Sequence, residues 1–242
     1  MPGRAGAQGS PESFHVELGA MLWKPTPEVS LSSGAAGSPV DFIGQFGVER
    51  KRFRDIRVVI KPTRKQKLRY GSVPFTYSGT ATLNQPITFQ GRTYSVGTPV
   101  TADLKWTLMR FGYEWDPIAT DMGFIGVFAD VKYNKLDASL TGPAPVGTLS
   151  LVRNVPVPTV GSAARVYLSR NSSVTTEFTA LKMNNRRINA RFYDFDVYTT
   201  GNFGRNVGVQ IGYRRLTADF VVDDDAGNIK MKGPYIGAVI RF

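Results

Sequence analysis

Apolar and polar residues alternate with a period of two along most of this chain. Between 122 and 140, Ile125, Val127, Ala129, Val131 and Tyr133 form one row, and Gly126, Phe128, Asp130, Lys132 and Asn134 form the other. Between 205 and 222, Val207, Val209, Ile211 and Tyr213 oppose Gly208, Gln210, Gly212 and Arg214. Alternation of this kind marks β-strands with two unlike faces. Clusters of Gly, Pro, Asn and Asp divide the chain into about ten such strands. They are expected near 13–24, 53–62, 66–78, 99–116, 122–140, 162–170, 173–183, 190–200, 205–222 and 228–242. Two strands change phase. Past Arg214 the apolar row becomes Leu216, Ala218 and Phe220, and in the strand from 99 Leu104, Trp106 and Leu108 give way to Phe111, Tyr113 and Trp115. A phase change predicts a β-bulge, here at Arg214–Arg215 and between Leu108 and Phe111.

The connections alternate in length. Lys61-Pro-Thr-Arg-Lys65, Pro117-Ile-Ala-Thr-Asp121, Arg170-Asn-Ser-Ser173 and Gly201-Asn-Phe-Gly204 read as tight turns, and 25–52, 79–98 and 141–161 as long loops, with shorter loops at 184–189 and 223–227. An even number of hairpin-linked strands puts every tight turn at one end and returns the last strand beside the first. The expected fold is therefore all-β, a closed antiparallel up-and-down barrel of about ten strands over 13–242, with residues 1–12 disordered. No run of apolar residues reaches the ~18–20 of a membrane-spanning helix, so entry into a bilayer requires a closed barrel. The start of the chain lacks the apolar core of a secretory leader, and is read as a mature or recombinant form with the leader removed.

Three segments carry a resemblance. Phe14-His-Val-Glu-Leu-Gly-Ala-Met-Leu-Trp23 opens the first strand, Arg110-Phe-Gly-Tyr-Glu-Trp-Asp116 enters a tight turn, and Tyr235-Ile-Gly-Ala-Val-Ile-Arg-Phe242 closes the chain. Together they resemble the small OmpA/OmpW/omptin-like class of bacterial outer-membrane β-barrels, with no motif for a subfamily. The resemblance implies a transmembrane barrel in the outer membrane of a Gram-negative bacterium, with short turns periplasmic and long loops extracellular. It implies the lipid bilayer and lipopolysaccharide as partners, and assembly machinery that reads the C-terminal strand with Phe242 as its signal. Aromatic girdles would include Trp23, Tyr113, Trp115, Tyr133, Tyr193 and Phe242. Omptin-like proteases use Asp and His near the outer rim. Here the single histidine, His15, opens the first strand at the opposite end. No enzyme activity is expected.

Charge sharpens the picture. Lys and Arg number 30 against 19 Asp and Glu, a formal charge of +11. The inward rows are expected to hold Glu17, Asp103, Glu114, Asp130, Glu177, Asp194 and Asp196 with Arg57, Arg69, Lys105, Arg110, Lys132, Arg165, Arg214 and Arg241. Such a near-balanced set either fills a narrow barrel with ion pairs or lines a selective pore. Basic residues toward the loops, namely Arg50, Lys51, Arg52, Arg186, Arg187, Lys230 and Lys232, suit the phosphates of lipopolysaccharide. The long loops are where a surface partner would bind. Asp194 with Asp196, and Asp223-Asp-Asp225, are carboxylate groups that read as ion-pair and solvated-turn residues. No cofactor, metal or nucleic acid is expected; cysteine is absent and no nucleic-acid motif occurs. The expected role is structural or surface-binding with a largely filled lumen. The alternatives are a narrow passive channel for small solutes and a soluble lipocalin-like lipid carrier.

Overall fold

The computed structural model describes residues 14–32, 34, 37–184, 188–222 and 225–242; the segment expected to be disordered, 1–12, lies outside the described residues. The strands are β1 (Val16–Trp23), β2 (Thr26–Ser32), β3 (Val40–Asp41), β4 (Phe53–Thr63), β5 (Gln66–Thr82), β6 (Ile87–Phe89) and β7 (Arg92–Tyr94). They continue as β8 (Pro99–Thr120), β9 (Gly123–Thr141), β10 (Thr148–Ser169), β11 (Ser172–Asn184), β12 (Ile188–Phe203), β13 (Val207–Val222) and β14 (Asp225–Arg241). Ten of them, β1, β4, β5 and β8 to β14, pair in antiparallel succession, and β14 returns to β1 to close the barrel. Beyond Pro25, β2 carries β1 onward along the same edge of β14 in the same register.

The register fixes the barrel's girth. Paired residues traced once around run Val16, Ile60, Leu68, Tyr113, Ala129, Val160, Ala180, Tyr193, Thr217, Lys230 and Glu28. The path comes back to the first strand twelve residues on, at position 28 instead of 16. Ten strands with that stagger tilt by ~40° and enclose a backbone radius of ~10 Å. Inward side chains from opposite walls can meet across such a space.

The expected bulges at Arg214–Arg215 and between Leu108 and Phe111 are absent. β13 keeps unbroken register with both neighbours through Arg214 and Arg215, and β8 does so with β5 and β9 through Leu108 to Phe111. The true irregularities adjoin the tight turns, at Ile60/Thr63, Trp115/Ile118 and Tyr167/Ser169. What changes is the surroundings. Toward the tight turns the outward row is apolar, as in Phe111, Tyr113, Trp115, Val127, Val131, Ile211 and Ile236. Further up the same faces carry Asp103, Lys105 and Thr107 on β8 and Arg215, Thr217 and Asp219 on β13. The inward face inverts in the opposite sense, from charged to apolar. A strand that leaves lipid for water must exchange the polarity of its two faces without changing phase. Asp103 and Lys105 therefore point outward, a correction to their expected lumenal place. Trp23, expected in a girdle, points inward and is fully buried, its Nε1 donating to Gly233 O at 3.1 Å.

The loops fold onto the inverted half. Phe42, Phe46, Ile87, Phe89 and Tyr94 join Trp23, Phe53, Phe75, Tyr77 and Trp106 in one apolar core. Phe75 stacks on Trp106 at 4.9 Å, and Tyr94 donates to Leu140 O at 2.8 Å. Above Ile56↔Ser72 the β4–β5 ladder ends, and the segment after β3 fills the space; a Cβ on Gly79 would fall 2.4 Å from Phe46 O. Loop 141–161, expected to be irregular, is mostly strand. β10 runs through Val155-Pro-Val-Pro-Thr159 paired to β9. The prolines sit where their imide nitrogens face away from β9, so they cost that ladder nothing.

Candidate functional site: the charged interior of the membrane-facing half

Thirteen of the fifteen residues expected inside are on the inward face of the lower half: Glu17, Arg57, Arg69, Arg110, Glu114, Asp130, Lys132, Arg165, Glu177, Asp194, Asp196, Arg214 and Arg241. Asp103 and Lys105 are the exceptions. Asp55, Lys61, Lys67 and Asp116 join the set and are buried. Parity carried that signal: Asp55 stands two before Arg57, Lys67 two before Arg69, and Asp116 two after Glu114.

Two chains of ion pairs cross the interior. In the first, Lys67 bridges Asp116 at 2.8 Å and Glu114 at 2.9 Å, and Arg69 links Glu114 at 2.6 Å to Glu177 at 2.5 Å. Glu177 also meets Arg110 at 3.3 Å and the Tyr198 hydroxyl at 3.1 Å. Arg110 Nε lies 2.6 Å from Asp130. In the second, the fully buried Lys132 meets Asp194 at 2.7 Å. Asp194 accepts from Arg214 Nε at 2.9 Å and Nη2 at 2.8 Å. Arg214 reaches Asp55 at 3.2 Å, Asp55 holds Arg57 at 2.7 Å, and Arg57 meets Asp196 at 2.9 Å. Asp196 also accepts from the Tyr235 hydroxyl at 2.9 Å. Near the closing seam Arg241 Nε donates to Glu17 at 2.6 Å. Asp194 and Asp196 thus belong to cations rather than to each other.

Glycines on the inward face make this packing possible. A Cβ on Gly112 would lie 1.9 Å from Asp130 Oδ1, and one on Gly126 would lie 2.4 Å from Asp116 Oδ1. Each faces a bulky partner on the neighbouring strand, as Gly112 faces Asp130 and Gly212 faces Tyr235. Rings cover exposed faces of the cations: Lys67 sits 3.4 Å over Phe124, and Arg110 sits 4.8 Å over Phe128. Between the chains remains a cavity of about 70 Å³, room for a handful of waters.

The other expected sites fall elsewhere. Arg50, Lys51 and Arg52 are exposed ahead of β4, while Lys230 and Lys232 share Glu28 at 3.9 and 3.6 Å. Arg186 and Arg187, and Asp223 and Asp224 of the acidic tip, lie outside the described residues. Asp225 binds Arg153 at 2.5 Å. Phe242 is exposed at the tight-turn end, where its carbonyl accepts from the backbone of His15 at 2.6 Å. No cluster of three metal-ligating side chains occurs among the described residues.

No family model matches the chain, and no curated protein matches it. Among solved structures it is similar to the outer membrane protease OmpT from Escherichia coli, at 7% identity and a TM-score of 0.58, over 98% of this chain and 99% of that one. It is also similar to Ail, the attachment invasion locus protein of Yersinia pestis, at 10% identity and a TM-score of 0.40, over 94% and 98% of the two chains. The translocator domain of the autotransporter NalP from Neisseria meningitidis aligns at 11% identity and a TM-score of 0.44, over 96% and 90%. Identities this low speak to fold alone, and the fold is that of bacterial outer-membrane β-barrel proteins.

Proposed function

We propose that the chain is an integral, non-enzymatic barrel of the Gram-negative outer membrane whose lumen is sealed. Its work is structural or surface-binding, done by the extracellular half and its loops. The observation that carries the reading is the interior. Ion pairs cross the lower half, an apolar core fills the upper half, and the cavity between side chains holds about 70 Å³. A conducting pore needs a continuous wet path, and buried charges paired this closely leave little room for one. The apolar outward belt supports the bilayer as the barrel's surroundings.

OmpT is a protease, but His15 sits at the end away from the long loops, its Nδ1 3.4 Å from Lys61 O. That position supports a non-enzymatic reading. Arg50, Lys51 and Arg52 stand exposed in the loop before β4, where lipopolysaccharide phosphates would lie. β14, with Ile236, Ile240 and Phe242 outward, is the strand that assembly machinery would read. Reconstitution into planar bilayers tests the sealed lumen. Silent membranes at ±100 mV, about the largest potential a cell membrane carries, are expected; steady conductance steps would instead favour the narrow channel.

A further inference from the structure

A second feature lies on the outer wall. The β10–β11 ladder ends at Val160↔Ala180. Four further positions on each strand, 156–159 and 181–184, stand opposite one another without pairing, although β10 stays paired to β9 and β11 to β12. The cause is in the sequence. Antiparallel ladders bond through alternate residues. Gly142 N donates to Gly147 O and Tyr167 N to Met122 O, so the odd residues of β10 bond toward β9 and the even ones toward β11. The next two donors due to β11 above Val160 are residues 158 and 156, and both are proline. Without those N–H groups the seam parts, and β10 offers no donor there to close it.

At the foot of this seam runs a groove of about 650 Å³, lined by Phe111, Tyr113, Ala129, Val131, Val160 and Ala180 on the outward face. The two alanines form its floor between larger neighbours. Lys182 stands at its upper lip. Directly across the β11–β12 ladder from Lys182 is Arg191, also exposed. Like charges placed opposite each other on one face of a sheet repel, and neither has an ionic partner among the described residues. Asp219 faces Arg191 on its other side but takes the Asn228 amide instead.

We infer that this groove binds one acyl chain of a phosphate-bearing lipid, with the phosphate on Lys182 and Arg191. An apolar trough four strands wide, at the top of the lipid-facing belt and ending in two unpaired cations, matches a chain and its anionic head. The prolines deny an added peptide strand its hydrogen-bond donors on β10, so the seam favours an occupant that needs no ladder. The inference rests on the bilayer reading above.

The test uses the full chain in detergent micelles, with native mass spectrometry of bound lipid. The probes are phosphatidylglycerol, phosphatidylcholine with the same chains, and inorganic phosphate. One retained phosphatidylglycerol is expected. Lys182→Gln with Arg191→Gln should weaken it roughly thirty-fold, since each basic side chain near a headgroup contributes about a factor of five. Ala129→Trp fills the trough, leaves both cations in place, and should also displace the lipid. Retention unchanged in both variants would overturn the inference. So would several lipids bound without preference for the anionic head, or displacement by inorganic phosphate at equal concentration. Heat-dependent gel mobility confirms that each variant has folded. A wild-type chain that stays monomeric without detergent would refute the bilayer reading; one that needs detergent but keeps no lipid refutes the groove alone.

Discussion

Replacing Asp194 by Asn separates a packed interior from a water-filled one. Among the described residues Asp194 is the only carboxylate in contact with Lys132, at 2.7 Å, and it holds Arg214 through two bonds at 2.8 and 2.9 Å. Arg214 keeps Asp55 at 3.2 Å after the change, but the fully buried Lys132 is left with neutral partners, the Thr179 hydroxyl at 2.7 Å, the Phe192 ring at 4.6 Å and the new amide oxygen. A buried cation stripped of its counter-charge costs about 3–5 kcal/mol. Glu177→Gln gives the contrast. Glu177 serves Arg69 and Arg110, yet each retains a second carboxylate at 2.6 Å, Glu114 and Asp130 respectively. That loss is confined to charge-assisted hydrogen bonds, about 2 kcal/mol. Urea unfolding in lipid vesicles, followed by the fluorescence of the buried Trp23 and Trp106, reads both. Adding Lys132→Met to Asp194→Asn should recover most of the deficit, because an apolar side chain of similar volume needs no counter-charge. If both single variants cost under about 1 kcal/mol, as solvated surface pairs do, the lumen is wet and the sealed barrel is wrong.

Gly112→Ala should destabilise by roughly 1–3 kcal/mol, since its Cβ would meet Asp130 at 1.9 Å, whereas Gly71→Ala, with nearest contacts of 3.7 and 3.8 Å, should change stability by less than about 0.5 kcal/mol; the same unfolding assay checks the pair. Pro156→Ala with Pro158→Ala should extend the β10–β11 ladder, and amide exchange at Lys182 and Asn184 should slow by about ten-fold or more for two new hydrogen bonds. Unchanged exchange there would mean that something other than the missing donors holds the seam open. Phe242→Ala should lower the amount of folded barrel recovered from cells while refolding into detergent proceeds normally; equal losses in both settings would make the residue merely structural.

The barrel itself was legible because hairpin rhythm, turn length and strand parity are local. The ten strands, and the inward side of thirteen of the fifteen charged residues expected in the lumen, follow from period two alone. Parity also failed instructively. An apolar row that jumps faces reads as a bulge, and a bulge would turn Asp103 and Lys105 inward. In water a face of Leu104 and Trp106 belongs inside; in lipid the face of Phe111 and Tyr113 belongs outside. Sequence gives the jump but not which solvent lies beyond it. Asp55, Lys67 and Asp116 were within reach of the same parity. The apolar plug was not. That Phe42, Phe89 and Tyr94 meet strands dozens of positions away is set by barrel girth and loop path, which no local pattern carries. Nor does composition reveal that Val155-Pro-Val-Pro-Thr159 breaks one ladder and spares the other.

The exchange of polarity between Lys105 and Phe111 on β8, repeated between Tyr213 and Arg215 on β13, also draws a waterline on the molecule. Sinking the barrel by one residue pair would drag Arg215 into the level of Tyr213, and raising it would lift Tyr213 and Phe111 toward water. Either shift is resisted on both strands at once. Where a bilayer's thickness does not match, the lipid must stretch or thin to meet the protein, because this protein's float depth is written into the strands that cross the line.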